Sequence, residues 1–72
     1  MNINFDDQAD ALYIQFQEGK VGKTLKLQDG ILMDIDSAGR VFGIEILDVS
    51  SRIPLETLSR INIEFPLKSS AA

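Results

Sequence analysis

Apolar and polar residues alternate over most of this chain, in short segments that turn residues separate. A period of two is typical of β-strands with one buried face. The pattern predicts strands over residues 2–5, 11–16, 24–28 and 31–36. The first two are expected to form a hairpin around the polar stretch 6–10, and the fourth begins a second hairpin.

The central stretch, Gly30–Asp48, is the strongest folding signal, because it consists of a strand, a tight turn and another strand. At its start, the pair Asp29-Gly30 is typical of a two-residue hairpin turn, since both residue types tolerate positive φ. Within it, Asp36 can accept a hydrogen bond from its own turn, and Gly39 can take the left-handed position after a type I turn. A β-hairpin is therefore expected at the middle of the protein.

Two registers of this hairpin differ by one residue, and such a slip moves every side chain to the opposite face. The turn chemistry favours the register that places Ile35 opposite Val41 and Asp34 opposite Phe42. That register mixes apolar residues over both faces, with Ile31, Met33, Ile35, Val41 and Leu47 on one and Leu32, Phe42, Ile44 and Ile46 on the other. The alternative needs a less favourable turn and collects a larger apolar set on one face, namely Ile31, Met33, Ile35, Phe42, Ile44 and Ile46. We expect the first register, in which both faces of the hairpin need cover.

Helical spacing replaces the alternation near the C-terminus, where Leu55, Leu58 and Ile61 recur on one side. Pro54 suits the first helical position, since its missing N–H would have no partner there. The spacing predicts a helix of about two turns over Pro54–Arg60. So short a helix is marginal alone and must dock its apolar side on the sheet.

Alternation then resumes, and Ile63 and Phe65 are predicted to form a last short strand that Pro66 ends. Residues 67–72 are expected to be a disordered tail. The whole pattern predicts a single small β-rich domain over residues 2–66. Its fold class is α+β, a mostly antiparallel β meander of about five to six short strands with one short C-terminal helix.

Composition leaves oligomerisation as the main support for so small a domain. A chain of 72 residues buries only about 60% of the surface that its unfolded form exposes. Small domains therefore tend to need disulfides, a metal or a partner subunit. The chain has no cysteine and no histidine, which removes disulfides, thiolate metal sites and the commonest general base. We expect a homodimer or a small protein partner.

The net charge of −4 argues against nucleic acid as a partner, because binding to phosphates requires a basic face. The apolar runs are too short to span a membrane. The first residues have neither a basic start nor an apolar core, so no signal peptide is expected. A cytoplasmic location is inferred, and the absence of cysteine agrees with a reducing compartment.

Carboxylates are the remaining candidates for chemistry. Those on or near the central hairpin are Asp34, Asp36, Glu45 and Asp48. Carboxylates on adjacent strands can converge on a hard cation, so a metal-binding or small-ligand-binding protein is the alternative hypothesis. In the favoured register, however, Asp34 and Asp36 lie on one face and Glu45 on the other. An exposed Asp36–Arg40 ion pair and a solvated strand face are expected, and no metal site is predicted.

A second acidic group, Asp6, Asp7 and Asp10, does not match the spacing of a calcium loop, so Asp6 or Asp7 is expected to cap a turn. Catalysis has no candidate residues either. The serines and threonines have no histidine to activate them, and the glycines lack the spacing of a phosphate-binding loop. The sequence therefore predicts a protein that is not an enzyme and has no cofactor.

Two single residues stand out on the strands. Tyr13 is expected to be a partly buried sheet residue, with an interface position as the alternative. Gly43 lies in the middle of a predicted strand, where glycine often marks a bulge or a close backbone approach. A bulge is the expectation at Gly43, and contact with a second subunit is the alternative.

Four segments together resemble a known family: Ala9–Ile14, Asp29–Asp34, Asp36–Arg40 and Gly43–Asp48. They are similar to the domain-of-unknown-function family 2283, small single-domain prokaryotic proteins, and the resemblance extends over residues 2–61. It implies no assigned activity and no catalytic residues. Some relatives are encoded beside small toxin-like proteins, which implies an antitoxin-like partner role. The sequence thus favours a protein-interaction module, as a homodimer or with another small protein.

Overall fold

A computed structural model describes residues 1–67 as a five-stranded antiparallel sheet followed by two short helices. The strands are β1 (Asn2–Asp6), β2 (Ala11–Gln15), β3 (Lys23–Gln28), β4 (Ile31–Ile35) and β5 (Val41–Leu47). The helices are α1 (Val49–Arg52) and α2 (Leu55–Leu58). The predicted α+β class is confirmed. The predicted tail, apart from Leu67, lies outside the described residues.

The strand order across the sheet is β1-β2-β5-β4-β3. The β1–β2 hairpin and a β3–β4–β5 meander are joined side by side through β2 and β5, so the sheet departs from a single uninterrupted meander. The loop from β2 to β3 passes the β4–β5 turn, where Phe16 N donates to Phe42 O and Gly22 N to Ile35 O, both at 2.8 Å.

The predicted turns are confirmed, and aspartate side chains organise two of them. Asp6 Oδ1 accepts the N–H groups of Gln8 and Ala9 at 3.0 and 3.1 Å. Asp36 Oδ1 accepts those of Ala38 and Arg40 at 2.9 Å. These bonds occupy turn donors that would otherwise lack a partner in the protein.

The register of the central hairpin corrects the prediction. Ile35 lies opposite Val41 as expected, but Asp34 lies opposite Gly43 rather than Phe42. Phe42 is therefore an additional residue in β5, a β-bulge. The bulge lets the turn keep its favoured geometry next to Ile35 and shifts every pair beyond it by one position. The expected mixing of apolar residues over both faces is consequently wrong for most of the hairpin.

Beyond the bulge, the two faces of the sheet are sharply different, because directly opposite residues share a face. Two rows define the apolar face. One row crosses all five strands through Ile3, Ile14, Ile44, Met33 and Leu25, and the other contains Phe5, Leu12, Ile46 and Ile31. Two further rows define the polar face. They contain Asn2, Gln15, Gly43, Asp34 and Thr24, and Asn4, Tyr13, Glu45, Leu32 and Lys26.

The C-terminal part differs from the prediction in three ways. An additional helix, α1, follows β5 directly. The predicted helix over Pro54–Arg60 shrinks to α2, with Pro54 as its N-cap rather than its first residue. No strand forms over Ile63 and Phe65, because no neighbouring strand pairs with that segment. Leu55 is 56% exposed, so α2 lacks the docking that would have extended it.

The core is small. Among residues 1–67 the buried apolar side chains are Leu12, Phe42 and Val49. The rest of the apolar face is half-buried or exposed. No helix in the described part of the chain has the length and hydropathy that crossing a bilayer requires.

Candidate functional site

An apolar groove of about 670 Å³ lies on the β1–β2 side of the apolar face. Four side chains of the sheet line one side of the groove, namely Ile3, Phe5, Leu12 and Ile14. The C-terminal segment, residues 49–67, lines the other side with Ile53, Leu55, Leu58 and Ile61. Ile3 and Phe5 remain 38% and 41% exposed. The C-terminal segment therefore borders the apolar face without sealing it.

Asp10 holds the start of this segment against the sheet. Its backbone oxygen accepts the N–H of Val49 at 3.0 Å. Its side chain accepts the backbone N–H of Ser50 at 3.1 Å and the Ser50 hydroxyl at 2.7 Å. Asp48, at the N-cap position of α1, makes no side-chain cap, so Asp10 caps the helix from the β1–β2 turn. The cap places Val49 in the core.

Arg52 fixes the other end of α1. Its Nε donates to Leu47 O at 2.8 Å and its Nη2 to Asp29 O at 2.6 Å. The guanidinium lies over Gly30, where a Cβ atom would collide with Nη2. Gly30 is needed for its positive φ of 80°, and a Cβ atom there would displace the flexible end of the Arg52 side chain. No local pattern in the sequence indicates this role, because Asp29 lies 23 residues from Arg52 in the chain.

A hydrogen-bonded cluster occupies the polar face. The Tyr13 hydroxyl donates to Asp34 Oδ2 at 2.8 Å, and the Thr24 hydroxyl donates to Asp34 Oδ1 at 2.6 Å. Burial of the phenol, the bond to Asp34 and the nearby charges of Asp34 and Glu45 raise the pKa of Tyr13 to about 12. The tyrosine consequently stays neutral and acts as a donor at physiological pH.

Gly43 makes room for this cluster. A Cβ atom at Gly43 would collide with the Tyr13 ring and lie 2.9 Å from Ile14 O. The bulge expected at this glycine is present one residue earlier, at Phe42. The close approach is made by Tyr13 of the same chain. Tyr13 itself is a half-buried sheet residue, as expected.

The four carboxylates proposed for a metal or ligand do not converge on one site. Asp34 and Glu45 share the polar face, contrary to the predicted register. Asp36 lies in the β4–β5 turn, where Arg40 Nε donates to its Oδ2 at 3.0 Å, as predicted. Asp48 lies at the opposite end of β5, before α1. No group of three metal-ligating side chains is present within residues 1–67.

The Asp36 carboxylate accepts hydrogen bonds within the β4–β5 turn. Backbone N–H donation from Arg40, together with that from Ala38 and the Arg40 charge, holds the pKa of Asp36 below its usual range. The carboxylate therefore stabilises the turn. In the same way, the Asp6 carboxylate accepts hydrogen bonds within the β1–β2 turn, and the Asp10 carboxylate accepts them from α1.

A family model described as "Protein of unknown function (DUF2283)" matches residues 2–50. The chain belongs to the DUF2283 family. The match contains all five strands of the DUF2283 sheet and ends within α1, so it is shorter than the resemblance over residues 2–61. No curated protein and no solved structure matches the chain.

Proposed function

We propose that this DUF2283 protein is a cytoplasmic, non-enzymatic interaction module that forms a homodimer through the apolar face of its sheet. The observation that carries the proposal is the row of apolar side chains that crosses all five strands and is left without a complete cover. Monomeric proteins rarely expose contiguous apolar surface of this kind, whereas interaction sites do.

The exposed area supports an interface of ordinary size. The chain exposes 5811 Å², whereas a compact monomer of its 8.0 kDa mass would expose about 4,500 Å². The difference, about 1,300 Å², includes the exposed C-terminal residues as well as the apolar face, and it exceeds the roughly 800 Å² that each partner buries in a standard interface. A dimer would therefore restore the burial that a single copy lacks.

A second copy is the simplest partner because it needs no further component. A twofold axis places the same patch on both subunits, so an uncharged apolar face can pack against its own counterpart. The two rows of the apolar face contain no charged residue. The net charge of −4 per chain can then remain on the outer surfaces, where salt screens it.

The deciding experiment is the native mass, with two matched variants of β1. Ile3→Lys places a charge on the apolar face, and Asn4→Lys places the same charge on the polar face of the same exposed strand. The wild type and Asn4→Lys are expected at twice the 8.0 kDa chain mass. Ile3→Lys is expected to shift towards the monomer, with folding checked by circular dichroism.

Two outcomes would contradict the proposal. A monomeric wild type at all concentrations overturns the homodimer, and equal effects of the two lysine variants remove the apolar face as its interface. A monomer purified with a different small protein attached would replace the homodimer with the antitoxin-like partner role.

A further inference from the structure

We infer that the C-terminal arm, residues Ile61–Phe65, adds as a strand to the β1 edge of the second copy. The inference rests on the proposed homodimer and adds a second contact to its apolar interface. Its two parts are an unpaired strand edge and a segment with strand alternation but no strand partner.

The sheet has two edges, and they are not equivalent. The β3 edge has a bulge at Leu27, which interrupts its pairing pattern. A bulge on an edge strand is a usual protection against pairing with another chain. The β1 edge, Asn2–Asp6, has no bulge and no proline, and its register with β2 is regular throughout. An added strand is therefore expected at β1.

The arm has the pattern that such a strand requires. Ile61, Ile63 and Phe65 alternate with polar residues and are 60%, 62% and 75% exposed. Pro66 follows, and Leu67 N donates to Phe65 O at 2.7 Å, so the extended stretch ends at Phe65. Paired antiparallel with Glu64 opposite Asn4, residues 62–65 of the arm would lie along residues 3–6 of β1. Added at this edge, the three apolar side chains would extend the apolar face beside Ile3 and Phe5.

The position of the arm favours exchange between copies. Ile61 and Asn62 line the groove next to Ile3 and Phe5, so the arm begins close to the β1 edge. From there the exposure of its apolar side chains increases towards Phe65, which indicates that the arm runs away from its own sheet. A twofold axis beside β1 would place each arm on the other subunit and close the assembly at two copies.

Disulfide cross-linking between different chains tests this contact, since the native chain has no cysteine. One preparation carries Asn4→Cys, at the middle of β1, and the other carries Glu64→Cys, on the polar side of the arm. The control pairs Glu64→Cys with Lys26→Cys, because Lys26 lies in the same row as Asn4 at the opposite edge. After mild oxidation, intact mass identifies each mixed disulfide. The Asn4 pair is expected to exceed the Lys26 pair several-fold.

A second pair of variants measures what the arm contributes to the dimer. Ile63→Asp removes an apolar contact, and Asn62→Asp adds the same charge to the polar side. Ile63→Asp is expected to raise the dimer dissociation constant by at least about tenfold, and Asn62→Asp is expected to leave it nearly unchanged.

The outcomes separate this inference from the proposed function. Equal cross-linking of Asn4→Cys and Lys26→Cys, or an unchanged dissociation constant in Ile63→Asp, would overturn the arm exchange while the homodimer stands. A monomeric wild type would overturn both.

Discussion

Tyr13 and Asp34 show how single side chains decide the chemistry of the polar face. The phenol crosses Gly43 to reach the carboxylate, which also accepts the Thr24 hydroxyl. Both carboxylate oxygens are thus bound by hydroxyl donors of the same chain. The cluster therefore holds three strands together instead of presenting a free acid to a metal or substrate.

The pKa of Tyr13 gives a direct test of this cluster. Because burial and the Asp34 bond raise that pKa from 10.0 to about 12, the folded state binds the phenol proton more tightly than the unfolded state. The resulting stabilisation is fully present below the unfolded pKa of 10.0 and is lost as pH rises towards about 12. Tyr13 is the single tyrosine and the chain has no tryptophan, so ultraviolet absorbance follows its ionisation alone.

We expect Asp34→Asn to lower the midpoint of this titration towards 10, the value for a free tyrosine. Glu45→Gln is the matched control, since Glu45 contributes only the smallest of the four effects on Tyr13. A wild type that already titrates like the denatured chain would contradict the hydrogen bond to Asp34.

At the scale of elements, the strands and turns that short-range patterns determine can be predicted from the sequence. The strands follow from alternation, and Gly30 and Gly39 mark two turns by their need for positive φ. The bulge at Phe42 has no such signal in the sequence. It forms because the favoured turn geometry and the pairing of the apolar rows require registers that differ by one residue. The absence of a strand over Ile63 and Phe65 also depends on a missing neighbour, which local alternation does not reveal.

Long-range contacts account for the residues that sequence reasoning missed. Asp10 and Arg52 hold α1 at its two ends through partners in the β1–β2 turn, β5 and the β3–β4 turn. From the sequence alone, Asp10 belongs to the polar stretch 6–10 and its acidic group, and no pattern marks Arg52. Neither role follows from neighbouring residues, since the Asp10–Ser50 contact joins positions 40 residues apart.

We expect Arg52→Gln to destabilise the protein by about 1 kcal/mol, the usual scale for the net contribution of exposed hydrogen bonds. Glutamine lacks the guanidinium group, whose Nε and Nη2 donate to Leu47 O and Asp29 O. Lys20→Gln makes the same change of charge in the exposed β2–β3 loop and serves as the control. Urea denaturation at one fixed protein concentration measures both variants. If both lose the same stability, charge rather than the Arg52 clamp is responsible.

At the scale of the whole molecule, the fold has more apolar surface than one copy can bury. The bulge places the apolar rows on a single face, so the surplus is concentrated where one partner can cover it. The register mixed over both faces would have required two separate covers. The observed register therefore lets a single interface cover the surplus in the proposed homodimer.

This assembly predicts that thermal stability depends on protein concentration, because dissociation accompanies unfolding of a dimer. A tenfold increase in concentration favours the dimer by about 1.4 kcal/mol, which corresponds to a rise of about 3–6 °C in melting temperature for a folded unit of this size. Differential scanning calorimetry over a dilution series measures the slope. Asn4→Lys is expected to keep the slope, and Ile3→Lys to lose it and to melt at a lower, constant temperature. A wild-type midpoint that is independent of concentration would show that the apolar face stays open to solvent in a single folded copy.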